Sequence, residues 1–249
     1  MSRLTIQNLT KHFGGIRAID RCSFSVKQNT IVALIGPNGA GKTTLFNIIS
    51  GFYQPDAGTV TLNGEKLTGL QPHTIARKGL SRTFQLTRLF PKLTVMENLL
   101  LAKRRKCESL PHALFFGSPA EESRHYEEEL LGFLRLVGLE KKKDALASRL
   151  SYGQQKLLEI ARALAADAPL LLLDEPAAGV HPKLREELKR LLRELKQRGK
   201  TILFIEHDMP FVMGIADEVV VLDHGKEIAI GKPEQIRKDR KVLEAYLGA

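Results

Sequence analysis

The spacing of apolar residues changes several times along the chain, and it predicts alternating strands and helices. Residues 3–9 and 22–26 alternate apolar and polar side chains, which is typical of strands with one buried face. Elsewhere the apolar residues form short, nearly continuous runs, which predict strands that are buried on both faces. These runs are residues 30–35, 170–174, 201–206 and 218–223.

The helical pattern is clearest in residues 182–198, where leucines recur at intervals of three and four on one face. Pro182 fits the first turn of this helix and Gly199 fits its end. Residues 42–49 predict another helix, which follows the first apolar run. The leucines of the longer helix are Leu184, Leu188, Leu191, Leu192 and Leu195.

The middle of the chain has a different pattern. Residues 95–101 and 121–137 predict helices, the second of them charged and amphipathic. Residues 107–120 lie between them and contain prolines and a glycine, so we expect a loop there. This region therefore predicts a helical part inserted between two stretches that contain strands.

Two further features complete the predicted fold. Residues 58–62, followed by the turn Asn63-Gly64, predict a β-hairpin in the first part of the chain. Strands alternate with helices on both sides of the middle region, which favours a parallel sheet covered on both faces. We therefore predict an α/β protein with a largely parallel sheet, an antiparallel β subdomain and an inserted helical subdomain.

Composition adds limits on location and partners. The chain has 249 residues, 43% of them hydrophobic and 27% charged, which is typical of a soluble globular protein. We expect neither a membrane span nor a secretory signal, because no apolar stretch approaches about 18 residues and the first residues lack an apolar core. Cys22 and Cys107 are far apart, which favours a reducing compartment.

The net charge of +10 suits an anionic partner such as a nucleotide, a nucleic acid or a membrane surface. Two basic clusters, at residues 103–106 and 141–143, fit either such a partner or an ordinary solvated face. Neither cluster contains aromatic residues, and aromatic residues make up only 6% of the chain. Because single-stranded nucleic acids are held largely by base stacking, we expect no nucleic-acid partner.

The strongest chemical motif follows the first buried run. It matches the pattern G-x-x-x-x-G-K-[ST] of phosphate-binding loops, between a predicted strand and a predicted helix. In such a loop glycines let backbone N–H groups face phosphate oxygens, the lysine reaches the β- and γ-phosphates, and the hydroxyl binds Mg²⁺. The motif therefore predicts a P-loop NTPase core that binds ATP and Mg²⁺. The candidate residues are Gly36, Pro37, Asn38, Gly39, Ala40, Gly41, Lys42, Thr43 and Thr44.

A second motif ends the apolar run 170–174, where Asp174 and Glu175 are adjacent. Alone, an apolar run that ends in two carboxylates is common. With the phosphate-binding motif, it predicts that Asp174 holds Mg²⁺ through water and that Glu175 is the general base for an attacking water.

Residues 150–155, Leu-Ser-Tyr-Gly-Gln-Gln, resemble the signature motif of ABC ATPases. Ser151 stands where the N-cap of the following helix is expected, so its hydroxyl and the first N–H groups would form an anion site. The resemblance implies that Ser151, Gly153 and Gln154 bind the γ-phosphate of ATP held by a second subunit. Tyr152 departs from the commonest pattern, which has glycine at that position.

The resemblance to ABC ATPases also gives roles to isolated residues. It implies that Gln85 contacts Mg²⁺ at the reaction centre and links the core to the helical part. It also implies that His207 reaches the γ-phosphate and that Phe13 stacks on adenine. From the sequence alone Phe13 fits a core position equally well, and a single glutamine is ordinarily a surface residue. His181 stands where relatives carry Asp or Asn, so the contacts of that loop with another subunit are left open.

The resemblance covers nearly the whole chain and implies a domain plan. Residues 1–86 and 156–231 would form the catalytic core, residues 87–155 the helical signature subdomain, and residues 232–249 a C-terminal helical tail. The strings at residues 80–85, 150–155 and 244–248 resemble ATPase subunits of branched-chain amino acid importers.

That branch implies permease subunits as direct partners, a substrate-binding protein as an indirect one, a homodimer or heterodimer of ATPases, and a place on the cytoplasmic face of the inner membrane. The alternatives are the ATPase of an exporter or lipid-extraction system, a soluble ABC ATPase, and a non-catalytic nucleotide sensor or structural subunit. A single phosphate-binding loop and the absence of heptads speak against the soluble class. The presence of Lys42, Asp174, Glu175 and His207 speaks against a sensor.

Overall fold

The computed structural model describes residues 2–84, 89–103 and 119–247. For residues 119–125 and 247 it describes the backbone only. The chain divides into two compact units. The first contains residues 1–85, 168–178 and 185–249, and the second contains residues 86–167 and 179–184. The predicted domain boundaries remain a prediction.

The first unit is built on a central sheet. Among the described residues, six strands form this sheet in the order β10-β9-β3-β8-β7-β6. Neighbours from β9 to β6 pair in parallel, and β10 pairs with β9 in the antiparallel sense. The strands are β3 (Ile31–Ile35), β6 (Leu80–Arg82), β7 (Leu170–Asp174), β8 (Thr201–Ile205), β9 (Glu218–Asp223) and β10 (Lys226–Gly231).

A second sheet in the same unit is antiparallel. Its order is β2-β1-β4-β5 within the described part of the chain. The turn at Asn63 and Gly64 joins β4 to β5, and both residues have positive φ angles, as the predicted hairpin requires. The strands are β1 (Ser2–Phe13), β2 (Ile16–Lys27), β4 (Ala57–Leu62) and β5 (Glu65–Lys66).

A shared apolar core lies between these two sheets and α1 (Lys42–Ile49). Every residue of β3, β7 and β8 is buried, which explains why their apolar runs do not alternate. Leu4 and Ile6 of β1 and Phe46 of α1 are among the side chains of this core with almost no exposure. The core therefore holds the carboxyl ends of the central strands in fixed positions.

The remaining helices of the first unit are short, apart from α6. Leu188, Leu191, Leu192 and Leu195 of α6 are buried, as the leucine spacing predicts. The helix begins at Pro182, and Gly199 just beyond its end has a φ of 85°. These helices are α2 (Pro72–Arg77), α6 (Pro182–Gln197, from residue 185 onward), α7 (Met209–Ile215), α8 (Pro233–Ile236) and α9 (Arg240–Leu247).

The second unit is helical. It contains α3 (Val95–Ala102), α4 (Pro119–Leu136) and α5 (Tyr152–Ala165). Thr94 caps α3 through a capping box with Glu97. The fully buried Asn98 bonds the backbone of Phe90 through both ends of its amide, at 2.9 and 3.1 Å, and so holds the segment before α3.

The predicted fold class is confirmed, with one local correction. The loop predicted at residues 107–120 is wrong at its end, because Pro119 and Ala120 belong to α4. Proline is well accommodated in the first turn of a helix, where the missing N–H has no helical partner. The rest of that predicted loop lies outside the described residues. Among the helices of the described segments, none has the length and apolar character needed to cross a bilayer.

Candidate functional site

The phosphate loop, residues 36–43, connects the carboxyl end of β3 to the start of α1. Two of its glycines are required by close packing. A Cβ on Gly36 (φ 150°) would lie 2.0 Å from the carbonyl oxygen of Leu222, and one on Gly41 (φ 99°) would lie 2.4 Å from that of Ala18. No real side chain tolerates such distances to backbone atoms, so the loop can follow this path only with glycine at both positions.

The turn between β9 and β10 braces the same loop. The Gly225 N–H donates to the carbonyl of Ala40 at 3.0 Å, and the Asp20 N–H donates to the carbonyl of Gly225 at 2.9 Å. Gly225 has a φ of 78°, and a Cβ there would lie 2.7 Å from the carbonyl oxygen of Ala18. The phosphate loop is therefore tied to β2 through a single glycine.

Lys42 is buried within the loop that it ends. Its Nζ donates to the carbonyls of Gly36 at 2.7 Å and Pro37 at 2.8 Å. Burial lowers the pKa of the Lys42 ammonium, and the nearby negative charge of Glu175 opposes that effect. Lys42 is also the first residue of α1, and its N-cap, Gly41, supplies no side-chain acceptor. The loop thus combines a buried ammonium with the positive end of a helix, which suits an anion.

Glu175 and His207 follow the neighbouring strands β7 and β8. His207 Nε2 lies 3.3 Å from Glu175 Oε1. Glu175 has a φ of 49°, an uncommon angle for a residue with a side chain. Its N–H donates to the carbonyl of Ile205 at 3.0 Å, which extends the pairing of the two strands by one residue.

A cavity of about 360 Å³ brings most of the predicted residues together. Asn38 through Thr44 line it, with Glu175 on one side and His207 beside it. The rest of the lining consists of Ile16, Arg17, Ala18, Ile205 and His224. The cavity therefore presents an anion-binding loop to a carboxylate and an imidazole, which is an arrangement suited to a phosphorylated substrate and a water.

Asp174 is buried and paired with an arginine. Arg82 Nη2 donates to Asp174 Oδ2 at 3.1 Å, and both side chains are about 5% exposed. Arg82 Nη1 also donates to Asn47 and Ser50 of the α1 segment, each at 2.8 Å. The guanidinium lies over the ring of Phe84, 5.0 Å from its centroid. Arg82 thus connects the strand end that carries Asp174 to the helix that follows the phosphate loop.

The described residues contain no cluster of three or more His, Cys, Asp or Glu side chains that could hold a metal. Mg²⁺ does not require one, because it is commonly bound by one or two protein oxygens together with substrate phosphates and water. The Thr43 hydroxyl, which belongs to an exposed side chain on the cavity wall, and the Asp174 carboxylate fit that donor set.

Phe13 lies near the end of β1 and is 43% exposed, so it is not a core residue. Its ring meets the edge of Tyr53, which is similarly exposed, with centroids 5.3 Å apart. Asp56 fixes the strand beside Phe13, because its carboxylate accepts hydrogen bonds from Lys11 Nζ, at 2.9 Å, and from the His12 N–H. Phe13 is therefore a partly exposed ring on a fixed strand, with the Lys11 ammonium 5.4 Å from its centroid.

The signature segment, residues 150–155, begins α5 in the second unit. Ser151 is the N-cap and accepts the Gln154 N–H, while the Gln154 side chain accepts the Ser151 N–H. Gly153 is packed closely, because a Cβ there would lie 2.5 Å from Leu184 Cδ2. The ring of Tyr152 similarly lies against Gly179. Both glycines therefore lie against side chains of the same unit rather than against backbone atoms.

Sequence reasoning gave no role to several described residues of the candidate site, among them Arg17, Tyr53, Arg82, Glu206 and His224. Arg82 is the last residue of the short strand β6, and only the adjacency of β6 and β7 in the sheet brings its side chain to Asp174. Glu206 follows β8 directly, and its carboxylate is buried among backbone N–H groups. The predicted Gln85 lies outside the described residues.

Comparison with known proteins agrees with this geometry. Residues 19–178 match the family described as ABC transporter, and residues 226–249 match the family described as branched-chain amino acid ATP-binding cassette transporter. The chain is 46% identical to the high-affinity branched-chain amino acid transport ATP-binding protein BraF of Pseudomonas aeruginosa, over 100% of this chain and 99% of BraF. It is 45% identical to the LivG protein of Escherichia coli, over 98% and 97% of the two chains.

Solved structures give the same result. A nucleotide-free ATP-binding cassette from an ABC transporter aligns with a TM-score of 0.87 at 35% identity, covering 100% of both chains. The ADP conformation of MJ1267, an ATP-binding cassette of an ABC transporter, aligns with a TM-score of 0.87 at 36% identity, also over 100% of both chains. These matches and the full-length relatives show that the chain belongs to the family of ATP-binding cassettes of ABC transporters.

Proposed function

We propose that this chain hydrolyses ATP to drive the uptake of branched-chain or related amino acids through a membrane permease. The observation that supports it best is the single cavity in which Glu175 and His207 face the phosphate loop. The full-length relatives named for branched-chain amino acid transport support the choice of cargo.

The roles of the residues follow from their positions. The N–H groups of the phosphate loop and the Lys42 ammonium would bind the β- and γ-phosphates, and Phe13 would stack on adenine. Glu175 would accept a proton from the attacking water, and the His207 imidazole would donate to the γ-phosphate. Thr43, Asp174 and Gln85 would hold Mg²⁺. When it is bound, this ion neutralises negative charge on the phosphates. The acceleration would come from positioning and electrostatics.

The second unit would act across a dimer. Ser151, Gly153 and Gln154 stand at the first turn of α5, where the positive end of the helix dipole favours an anion. We propose that this turn binds the γ-phosphate of ATP held by another cassette, either a second copy or a sister subunit. A relative at 28% identity was solved as a dimer bound to ADP and phosphate. The assembly would sit on permease subunits at the cytoplasmic face of the cell membrane.

The test is to purify the full chain from native membranes in mild detergent, identify its companions by mass spectrometry and measure phosphate release. Polytopic permeases and an amino-acid-binding protein, together with ATP hydrolysis, support the proposal. Lys42→Ala should lose ATP binding, whereas the exposed Lys27→Ala should keep it. Ribosomal proteins or nucleic acid without a permease would overturn the transport claim, and a permease of an exporter would overturn uptake.

A further inference from the structure

Glu206 is an almost fully buried carboxylate that joins two loops of the site. It follows β8 directly and is 2% exposed. One oxygen, Oε1, accepts the N–H of Ala177 at 2.7 Å. The other, Oε2, accepts the N–H of His207 at 3.0 Å and the N–H of Asp208 at 3.4 Å. The two oxygens of one side chain therefore contact two separate segments of the chain.

The first segment is the turn that begins at Glu175. The Ala178 N–H donates to the carbonyl of Glu175 at 3.2 Å, and the Ala177 N–H within the same turn points to Glu206. Glu175 itself has a φ of 49°, which an L-residue adopts only when its surroundings impose it. The bond from Ala177 is one of the contacts that impose this path on the backbone.

The second segment carries His207. On its far side Asp208 accepts the N–H of Phe211 at 2.9 Å and thereby caps α7. Asp208 also pairs with Arg185 of α6. His207 therefore lies between a carboxylate that binds its own N–H and a capped helix start. Glu206 is the part of this arrangement that reaches across to the Glu175 turn.

Burial of the Glu206 carboxylate costs electrostatic free energy. Burial raises the pKa of this carboxyl, and the backbone N–H groups of Ala177, His207 and Asp208 oppose that rise. A buried carboxylate that is satisfied only by main-chain donors contributes little to stability compared with an apolar side chain. Its position between two loops of the site gives a reason for keeping it.

We propose that Glu206 is a positioning residue that holds the Glu175 turn and the His207 loop in register for hydrolysis. The inference rests on the proposed function, because it gives those two loops their roles. Glu206 is not among the residues that line the cavity. Its effect would be to maintain the 3.3 Å separation between Glu175 Oε1 and His207 Nε2.

The test compares Glu206→Gln with Thr201→Val in the full chain. Glutamine keeps the size of the side chain but replaces one acceptor oxygen with an NH₂ group, which cannot accept an N–H. Thr201 is a matched control, because it is fully buried on the same strand and accepts the N–H of Asn29 at 3.0 Å, at the other end of β8. ATP-binding sites are counted by equilibrium titration, and phosphate release is expressed per occupied site.

We expect Glu206→Gln to bind ATP with an affinity within about threefold of the unmodified chain and to lose at least about tenfold in turnover per occupied site. Thr201→Val should keep its turnover. Equal turnover in Glu206→Gln and the unmodified chain, or an equal loss in both variants, would overturn the inference. If the unmodified chain itself hydrolyses no ATP, the proposed function fails instead.

Amide hydrogen exchange in the unmodified chain tests the contact even if Glu206→Gln does not fold. The amides of Ala177 and His207 should both be protected, because each donates to a buried carboxylate. Exchange of either amide at the rate of an open loop would overturn the inference.

Discussion

The imidazole Nε2 of His207 lies 3.3 Å from the carboxylate Oε1 of Glu175, at the ends of two adjacent parallel strands. Both side chains border the phosphate loop cavity. A carboxylate and an imidazole at this distance can act on one water and one phosphoryl group without a large movement of either loop.

Glu175→Gln should retain ATP binding and lose turnover by about 10²- to 10⁴-fold, because an amide cannot accept the proton of the attacking water. Equilibrium ATP binding and phosphate release measure the two effects separately. Glu187→Gln changes an exposed glutamate on α6 and should leave both unchanged. Phosphate release by Glu175→Gln close to that of the unmodified chain would contradict the general-base role.

Arg82→Met should lower the free energy of unfolding by about 3–5 kcal/mol, because it leaves the buried Asp174 charge without its arginine. Urea denaturation measures the loss. The exposed pair of Arg198 and Glu194 provides the control, and Arg198→Met should cost less than about 1 kcal/mol. Adding Asp174→Asn to Arg82→Met should recover part of the loss, and a double variant no more stable than Arg82→Met would argue against a charge effect.

Gly36→Ala should disrupt the phosphate loop, because its Cβ would lie 2.0 Å from the carbonyl oxygen of Leu222. We expect a fall in the thermal midpoint and a loss of ATP affinity. Gly14→Ala is the control, since Gly14 also has a positive φ but has no atom within 4 Å of an added Cβ. It should cost only about 1 kcal/mol, from backbone strain alone. Equal effects of the two variants would show that the steric argument is wrong.

Asp56 should make stability depend on pH in the acid range. The Lys11 side chain, and then the His12 N–H, lower the pKa of this carboxyl from 3.8 to about 2. Because the pKa is lower in the folded state, the stabilisation is present above pH 3.8 and is lost as pH falls towards 2. Between about pH 5 and pH 2.5 the urea midpoint should therefore fall less in Asp56→Asn than in the unmodified chain. Asp144→Asn, which changes an exposed carboxylate, is the control, and equal slopes for all three proteins would contradict the assignment.

The parts of the fold that sequence predicts well are those encoded locally. The run 31–35, its glycine-rich loop and α1 form one continuous pattern, so strand, loop and helix could all be placed. The strand β10 is less evident because it is an edge strand that begins with Lys226 and Glu227 and has no fully buried residue. The described chain separates into a sheet-based unit and a helical unit. This separation agrees with the change in the spacing of apolar residues in the middle region.

The site was predictable where a motif carries its own chemistry and was not where two distant segments meet. Lys42 could be named from its own motif, and Glu175 could be named from the apolar run before it together with that motif. The pair of Arg82 and Asp174 is separated by 92 positions and depends on which strands are adjacent. The sequence does not indicate a role for Glu206, because a glutamate after a strand is ordinarily exposed. Its hydrogen-bond donors are backbone N–H groups, which do not depend on which residues carry them.

The turn at Gly225 has a consequence for engineering the chain. Hairpin tips are usually chosen as insertion points for reporter peptides or fused domains, since most of them tolerate added residues. Here the tip of the β9–β10 hairpin holds the carbonyl of Ala40 and the N–H of Asp20 at the same time. A fusion inserted at this tip would act on ATP binding, so labels for studying the transport cycle should be attached elsewhere.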